Sequence, residues 1–399
     1  MEIWDSAYYV HSRICLRMFG LWPLQGARNK VIFRVATVLA VSTILIPHIL
    51  KTYEVRHQLH YFLVCMPSLL YYSQFLTKFV HIAVKANKAR KILETINRDF
   101  SCFKNKSLRV LHDYSDTGRK FNTLYFVYMC FSVCFYNSMA FIPHALDALM
   151  PLNESRPRHP IRYVKYNIPR IEDHFNFILV HGFVLDLVSM LIIIGFDTLL
   201  FNFAQHACAL FKIVVVELHN SIEESGHAGA AAEESLGHRQ SLVYRRIANS
   251  IVVHKRALEL NELDSLCTIV NLLVVSITLA NATFTELETV VNKHKGDYDV
   301  ALRFAFFTIG QFLVILYCNY PGQLVKDHSS LIYDSCCEFD WYRQDIPMKA
   351  KKLLVLIMMK SQTPSCLTCG KLFVLDLQNF ISILKASISY FAVLMSIQK

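Results

Sequence analysis

Seven stretches of the chain are apolar over lengths that match a bilayer, near residues 31–50, 61–84, 121–146, 175–204, 269–290, 299–319 and 372–397. A helix needs about 20 such residues to cross the hydrocarbon core. The pattern predicts an all-α polytopic membrane protein with seven transmembrane helices. Composition agrees. Only 18% of the 399 residues are charged, against about 25% in a soluble domain. Length alone would allow two or three soluble domains, but 54% hydrophobic content argues for one membrane unit.

The formal charge of +10 raises nucleic acid as a partner, but the basic residues lie in loops between apolar runs, where they report orientation instead. The twelve cysteines form no disulfide framework. Cys130, Cys134, Cys208, Cys267 and Cys318 sit in or beside apolar runs, where a thiol behaves as a small hydrophobe. Cys366 and Cys369 make a lone CxxC without the two further ligands that zinc needs, so neither metal nor cofactor is expected. The start of the chain lacks the apolar core and small-residue cleavage site of a signal peptide; the first spanning helix is expected to direct its own insertion.

Orientation follows from local charge. Residues 85–120 hold ten Lys and Arg, against two in residues 51–60, which places the N-terminus in the cytosol. The sequon Asn153-Glu154-Ser155, a candidate glycosylation site, then falls outside; two others, at Asn105 and Asn281, fall in the basic connection and within a span. This gives a cytosolic segment 1–30 and four spans over 31–204. Cytoplasmic helical extensions with a loop follow over 205–268, and the fifth and sixth spans over 269–319. A cytoplasmic anchor region occupies 320–371 and a last helix 372–399. The fourth span stays apolar well past a bilayer. Ile247, Ile251, Leu258 and Leu266 recur at helical spacing before the fifth. If continuous, Leu242 to Val290 would reach about 70 Å, so helices are expected to leave the membrane and pack together in the cytoplasm. Between them "EESGHAGAAAEESLGHRQS" reads as a disordered loop. "MKAKKLLVLIMMK" is helical but too short to span, and joins that bundle before a break at Pro364 and Gly370.

No HExxH, P-loop, GxGxxG or GxSxG motif appears, so an enzyme is not expected. Ionisable residues inside the spans are Asp186, Asp197, Arg303 and Lys385; such groups face a pathway or a partner, or are satisfied by neighbouring backbone. Arg303 lies near a helix end, where its stem can snorkel. A G-protein-coupled receptor has the opposite orientation, and neither a DRY-like nor an NPxxY-like sequence is present. A transporter or metabotropic seven-helix chemoreceptor is the alternative class.

The last helix carries Asn379, Ser382, Ala386, Ser389, Val393 and Ile397 along one face, and Phe380, Leu384, Phe391 and Met395 along the other. A seam of small and hydroxyl groups serves close helix packing or lines a pore. The chain's last eighty residues bear on the choice. "YPGQLVKDHSSLIYDSCCEFDWYRQDIPMKAKKLLVLIMMK" followed by "NFISILKASISYFAVL" resembles the end of an insect odorant receptor. The matching pieces are the PGQ start, an acidic turn before Trp341-Tyr342, the "LLVLIMMK" helix, Phe380, Lys385 and Ser389-Tyr390-Phe391. The resemblance implies an odorant-tuning subunit of a non-selective cation channel in the cell membrane of sensory-neuron dendrites. It implies assembly with the odorant co-receptor as a tetramer, four subunits around one pore. Ser382, Ala386, Ser389, Val393 and Ile397 would line that pore, with Lys385 at its edge. The loop between the fourth and fifth spans is shorter than the co-receptor's. Related gustatory receptors end on Thr-Tyr with Gln six residues later; here Ser389-Tyr390 and Ser396 stand there instead.

The family's small volatile ligand sits among the second, third, fourth and sixth spans. A volatile offers little to hydrogen-bond, so apolar and aromatic walls are expected. Candidates are Tyr71, Tyr72, Phe75, Phe135, Met139, Val184, Val188, Phe304 and Phe307; each could equally pack against a helix or membrane lipid.

Overall fold

The computed structural model describes residues 2–141, 147, 149–150, 162, 164–166, 175–226, 233–259, 262–338 and 346–398. Ten α-helices occur among them: α1 Val10–Met18, α2 Ala27–Glu54, α3 Leu59–Cys102, α4 Asn105–Ser138, α5 Phe175–Gly226, α6 Glu233–Glu259, α7 Glu262–Lys295, α8 Tyr298–Glu338, α9 Met348–Ser361 and α10 Leu377–Gln398. Four carry stretches long and apolar enough to cross a membrane, in α2, α5, α7 and α8; α3, α4 and α10 stand at the other three predicted positions.

The axis is α5. Its residues are apolar on every side, and Ile192, Ile194, Phe201, Phe203, Leu210 and Val214 are fully buried, as expected of a helix surrounded by others. It packs on α1, α3, α4, α6 and α8. At 1.5 Å per residue its 52 residues run about 78 Å, so its second half leaves any bilayer. There it meets α6, which in turn meets α9. Val243 and Ile247 of α6 and Ala350, Leu354 and Ile357 of α9 are buried at spacings of three or four, the signature of an amphipathic helix docking one face. By contrast α2 is peripheral. Val31, Val35, Leu39, Ile46 and Leu50 are exposed along it, an apolar surface that suits lipid.

Several connections differ from expectation. The basic stretch 85–120 is helical on both sides of two residues, because α3 runs to Cys102 and α4 starts at Asn105. Ile82, Ala89, Ile92, Leu93 and Ile96 bury a continuous stripe against the core, so the charges ride the outer face of a helix that outlasts the apolar run. Leu242 to Val290 is two helices, α6 and α7, and the expected loop between the fourth and fifth spans is helical to Gly226 and again from Glu233. The third span ends at Ser138 with one 3-10 turn to Phe141. The last helix begins at Leu377, five residues later than expected, after a two-stranded antiparallel hairpin pairing Thr368–Cys369 with Phe373–Val374. Gly370 and Lys371 turn it with φ of 63° and 59°. A methyl on Gly370 would lie 2.5 Å from Leu272, so glycine permits both the φ and the approach to α7. Asn153, Trp341 and Tyr342 lie outside the described residues, as does the side chain of Ile397.

Candidate functional site

A cavity of about 60 Å³ lies between α3, α4, α5 and α8. Its walls are Tyr71, Met129, Val133, Tyr136, Phe306, Phe307 and Val314, with Ser68, Ser132, Asn137, Arg162, Asp186 and Gln311 as polar members. Phe307 joins two walls, its ring 5.2 Å from Tyr136 and 6.3 Å from Tyr71. Such tilted and edge-on ring contacts add to plain area burial.

One end of the cavity is charged. Asp186 is bonded to Arg162, accepts from the Tyr72 hydroxyl at 3.0 Å and from Asn137 Nδ2 at 3.1 Å. Its backbone carbonyl accepts from Tyr71 at 3.2 Å. Gly182, one turn earlier on α5, makes room: a methyl there would press on the Arg162 guanidinium. With its carboxylate surrounded by donors, a buried acid is tolerated at membrane depth.

A second buried pair lies deeper. Lys78 Nζ is 2.7 Å from both oxygens of Asp197, and the Tyr125 hydroxyl donates to the same carboxylate at 2.8 Å. Tyr125 stacks on Tyr317 at 3.8 Å. Tyr317 donates to Asn122 at 2.6 Å, and Asn122 to Asn202 at 2.7 Å. The network stitches α3, α4, α5 and α8 across the core. Sequence reading overlooked Lys78, Glu286 and Glu288, although all three stand within apolar runs. Glu288 is buried and bonded by Asn292 at 3.2 Å, while Glu286 accepts from Ser387 of α10 at 3.2 Å.

Two of the nine candidate wall residues, Tyr71 and Phe307, line the cavity. Tyr72 is buried behind it as the partner of Asp186, and Phe75 packs on Phe79 at 5.8 Å. Phe304 is buried under the Arg303 guanidinium, 5.5 Å away. Arg303 therefore does not snorkel: it is buried against Phe304 and Tyr136. Phe135 packs on the wall residue Phe306 at 4.4 Å, Val184 is half exposed, and Val188 packs against the main core. Met139 sits in the 3-10 turn after α4. The lining of α4 is Met129, Ser132, Val133, Tyr136 and Asn137, and that of α8 is Phe306, Phe307, Gly310, Gln311 and Val314. Both sets have helical periodicity. The expected Phe135 is one residue off its face and Phe304 one turn short.

The last helix has two unlike faces. Phe380, Leu384 and Phe391 are partly covered and Ile383 and Ser387 buried, where α10 packs on α7 and α8. Ser382, Lys385, Ser389 and Val393 are exposed, and Ala386 lies at the border. The Asp186 and Asp197 carboxylates are held by Arg162 and Lys78. The root of α10 is pinned to α8. Asp376 accepts from the Asn379 amide at 2.8 Å and from Lys326 at 2.9 Å, and Gln323 Oε1 accepts from the Leu377 amide at 3.2 Å.

Where α5, α6 and α9 pack together, burial and then the nearby Lys360 charge push the imidazole of His254 down to about 4, so it is neutral beside Phe211.

Relatives agree with this architecture. OR5, an insect olfactory receptor from Machilis hrabei solved in complex with eugenol, superposes with a TM-score of 0.70 at 14% identity, over 98% of each chain. A second structure of the same receptor gives 0.70 over 97% of each chain. Odorant receptor 13a of Drosophila melanogaster is 25% identical over 214 residues, 50% of this chain and 48% of the relative; the match thus spans about half of that protein. The 7tm Odorant receptor family pattern matches residues 32–388, nearly the whole chain, and the chain belongs to that family of membrane receptors.

Proposed function

We propose that the chain is an odorant-tuning subunit of a heteromeric, non-selective cation channel, formed with an odorant co-receptor as four subunits around one pore. A small volatile binds in the cavity between α3, α4, α5 and α8, and α10 lines the pore. The observation that carries this reading is the asymmetry of α10: Ile383 and Ser387 are buried and Phe380, Leu384 and Phe391 partly covered against α7 and α8, while Ser382, Ser389 and Val393 stand open, flanked by exposed Ile381, Ile388 and Tyr390. A face of hydroxyls and small aliphatics suits a water-filled path that closes by dewetting. Lys385 stands on the same open face, at the pore edge.

Assembly through the cytoplasmic bundle is supported by α9. Its inner side is buried, yet Met348, Leu356 and Met359 remain exposed on the other, an apolar strip that another subunit can cover. Localisation to the cell membrane of sensory-neuron dendrites goes with this reading.

The test is co-expression with an insect odorant co-receptor in cells without added G protein. Volatile-evoked cation current that needs both chains supports the reading. Current that requires a G protein, or none over a broad volatile panel with the chain at the surface, overturns it.

A further inference from the structure

We infer that the start of α2 and the facing turn of α3 hold the headgroup of an acidic phospholipid, bound by Lys30, Arg34 and Arg90. Lys30 and Arg34 stand one turn apart on α2, with Arg90 of α3 beside them. The charges that act on the Lys30 ammonium are those of Arg34 and Arg90, both positive. Among the described residues neither Lys30 nor Arg34 has an acidic partner; each bonds a backbone carbonyl. Arg90 bonds Glu94 at 2.8 Å, an exposed pair of the kind that contributes little. Three like charges gathered against one exposed carboxylate leave a net positive field that an anion relieves.

Two of the cations are held in place. The turn between α1 and α2 is anchored by Phe19, Leu21 and Trp22, all buried. Lys30 Nζ donates to the Pro23 carbonyl of this turn at 2.8 Å, and Arg34 Nε to the Gly20 carbonyl at 2.9 Å. Gly20, at φ of 70°, lies so near the helix that a methyl on it would stand 2.6 Å from the Lys30 carbonyl oxygen. An ammonium carries three donors and a guanidinium five, so both keep donors beyond the turn. Arg34 Nη2 is enclosed and Nε is taken, which leaves Nη1 as its donor. Lys30 and Arg34 are half-buried and Arg90 is exposed, so the cluster opens on the surface.

The apolar surroundings favour a lipid over a soluble anion. Val31, Val35 and Leu39 are each more than half exposed on α2, and Val38, one turn beyond Arg34, is nearly so. α2 packs on α3 and α5, and these side chains cover its other side. A phosphate at the cations with acyl chains along Val31, Val35 and Leu39 uses both surfaces at once. A free anion would use only the first.

The experiment measures lipid retention by the purified full chain in neutral detergent, using native mass spectrometry. Phosphatidylserine is compared with phosphatidylcholine of identical acyl chains. The acidic lipid should bind roughly a hundredfold more tightly, at about fivefold for each of three basic residues. Arg90→Gln changes an exposed side chain and should lower this preference about fivefold. Adding Lys30→Gln should lower it about twenty-five-fold in all, with phosphatidylcholine binding unchanged. Lys349→Gln with Lys352→Gln removes the same charge from exposed positions of α9 and should leave the preference intact. No preference in the unaltered chain, a preference unmoved by Arg90→Gln, or an equal loss in the α9 variant overturns the inference. Glycerophosphoserine, the headgroup without chains, should fail to displace phosphatidylserine at equal concentration. Displacement there would assign the cluster to a soluble anion and overturn the lipid.

Discussion

Gly322 of α8 lies directly against Leu375, so close that a methyl on the glycine would overlap the Leu375 carbonyl oxygen. This contact seats the segment that leads into α10. Around it Gln323 bonds the Leu377 amide and Lys326 pairs with Asp376. The Pro-Gly-Gln triplet thus has a mechanical reason: glycine allows the approach, and glutamine occupies an orphan amide at the helix start. Gly322→Ala should push the root of α10 off α8, at about 1–3 kcal/mol of overpacking. The expected outcome is reduced volatile-evoked current per receptor at the cell surface. Wild-type current per surface receptor would contradict it.

Tyr136→Ala and Phe307→Ala should each remove about 1–3 kcal/mol of apolar contact with a bound volatile. That is roughly tenfold or more in sensitivity, read from dose–response curves. Tyr72→Phe has a different expectation, because Tyr72 contributes its hydroxyl to Asp186 rather than a wall to the cavity. It should lower thermal stability by about 1–2 kcal/mol without reordering the volatiles that activate the receptor.

Lys78 and Asp197 are buried in a mutual contact at 2.7 Å. Lys78→Met leaves a carboxylate unpaired in the core, a loss of about 3–5 kcal/mol, and should abolish surface expression. Lys78→Met combined with Asp197→Leu removes both charges and should restore much of it. Surface counts for the two variants decide the matter; equal loss in both would mean that the pair is needed for more than charge balance.

The periodicity that places spans also placed the apolar axis of the fold, since Phe201 and Leu210 sit in a run with no polar face. It failed where charge and helix coexist. Lys88, Arg90 and Arg98 suggested a loop, but the buried stripe from Ala89 to Ile96 holds them on a helix. From α4 the cavity takes Tyr136 rather than Phe135, because choosing a face of a helix takes knowledge of the neighbour, and one residue turns a side chain by 100°. The Arg162–Asp186 and Lys78–Asp197 pairs join residues 24 and 119 positions apart. No local pattern encodes such a match.

The bundle of α5, α6 and α9 should weaken in acid. His254 has its folded value pushed down to about 4 by burial, below its ordinary value of about 6.5. The unfolded chain therefore binds the proton first. Stability is complete above pH 6.5 and is lost as pH falls toward 4, by about 2 kcal/mol once solvent screening is allowed for. His254→Phe should flatten this part of the thermal-stability profile of the purified protein between pH 6.5 and 4. An unchanged slope would assign the acid sensitivity to other groups.

The central claim is that the open face of α10 lines an ion path. Thiol accessibility during volatile-evoked current tests it most directly, with Val393→Cys on the open face and Leu384→Cys on the face packed against α7 and α8. The account predicts that a charged, membrane-impermeant thiol reagent blocks current through receptors carrying Val393→Cys, faster when the channel is open. Receptors carrying Leu384→Cys, and the unaltered chain with its twelve native cysteines, should be spared. Block at Leu384→Cys without block at Val393→Cys would contradict the account.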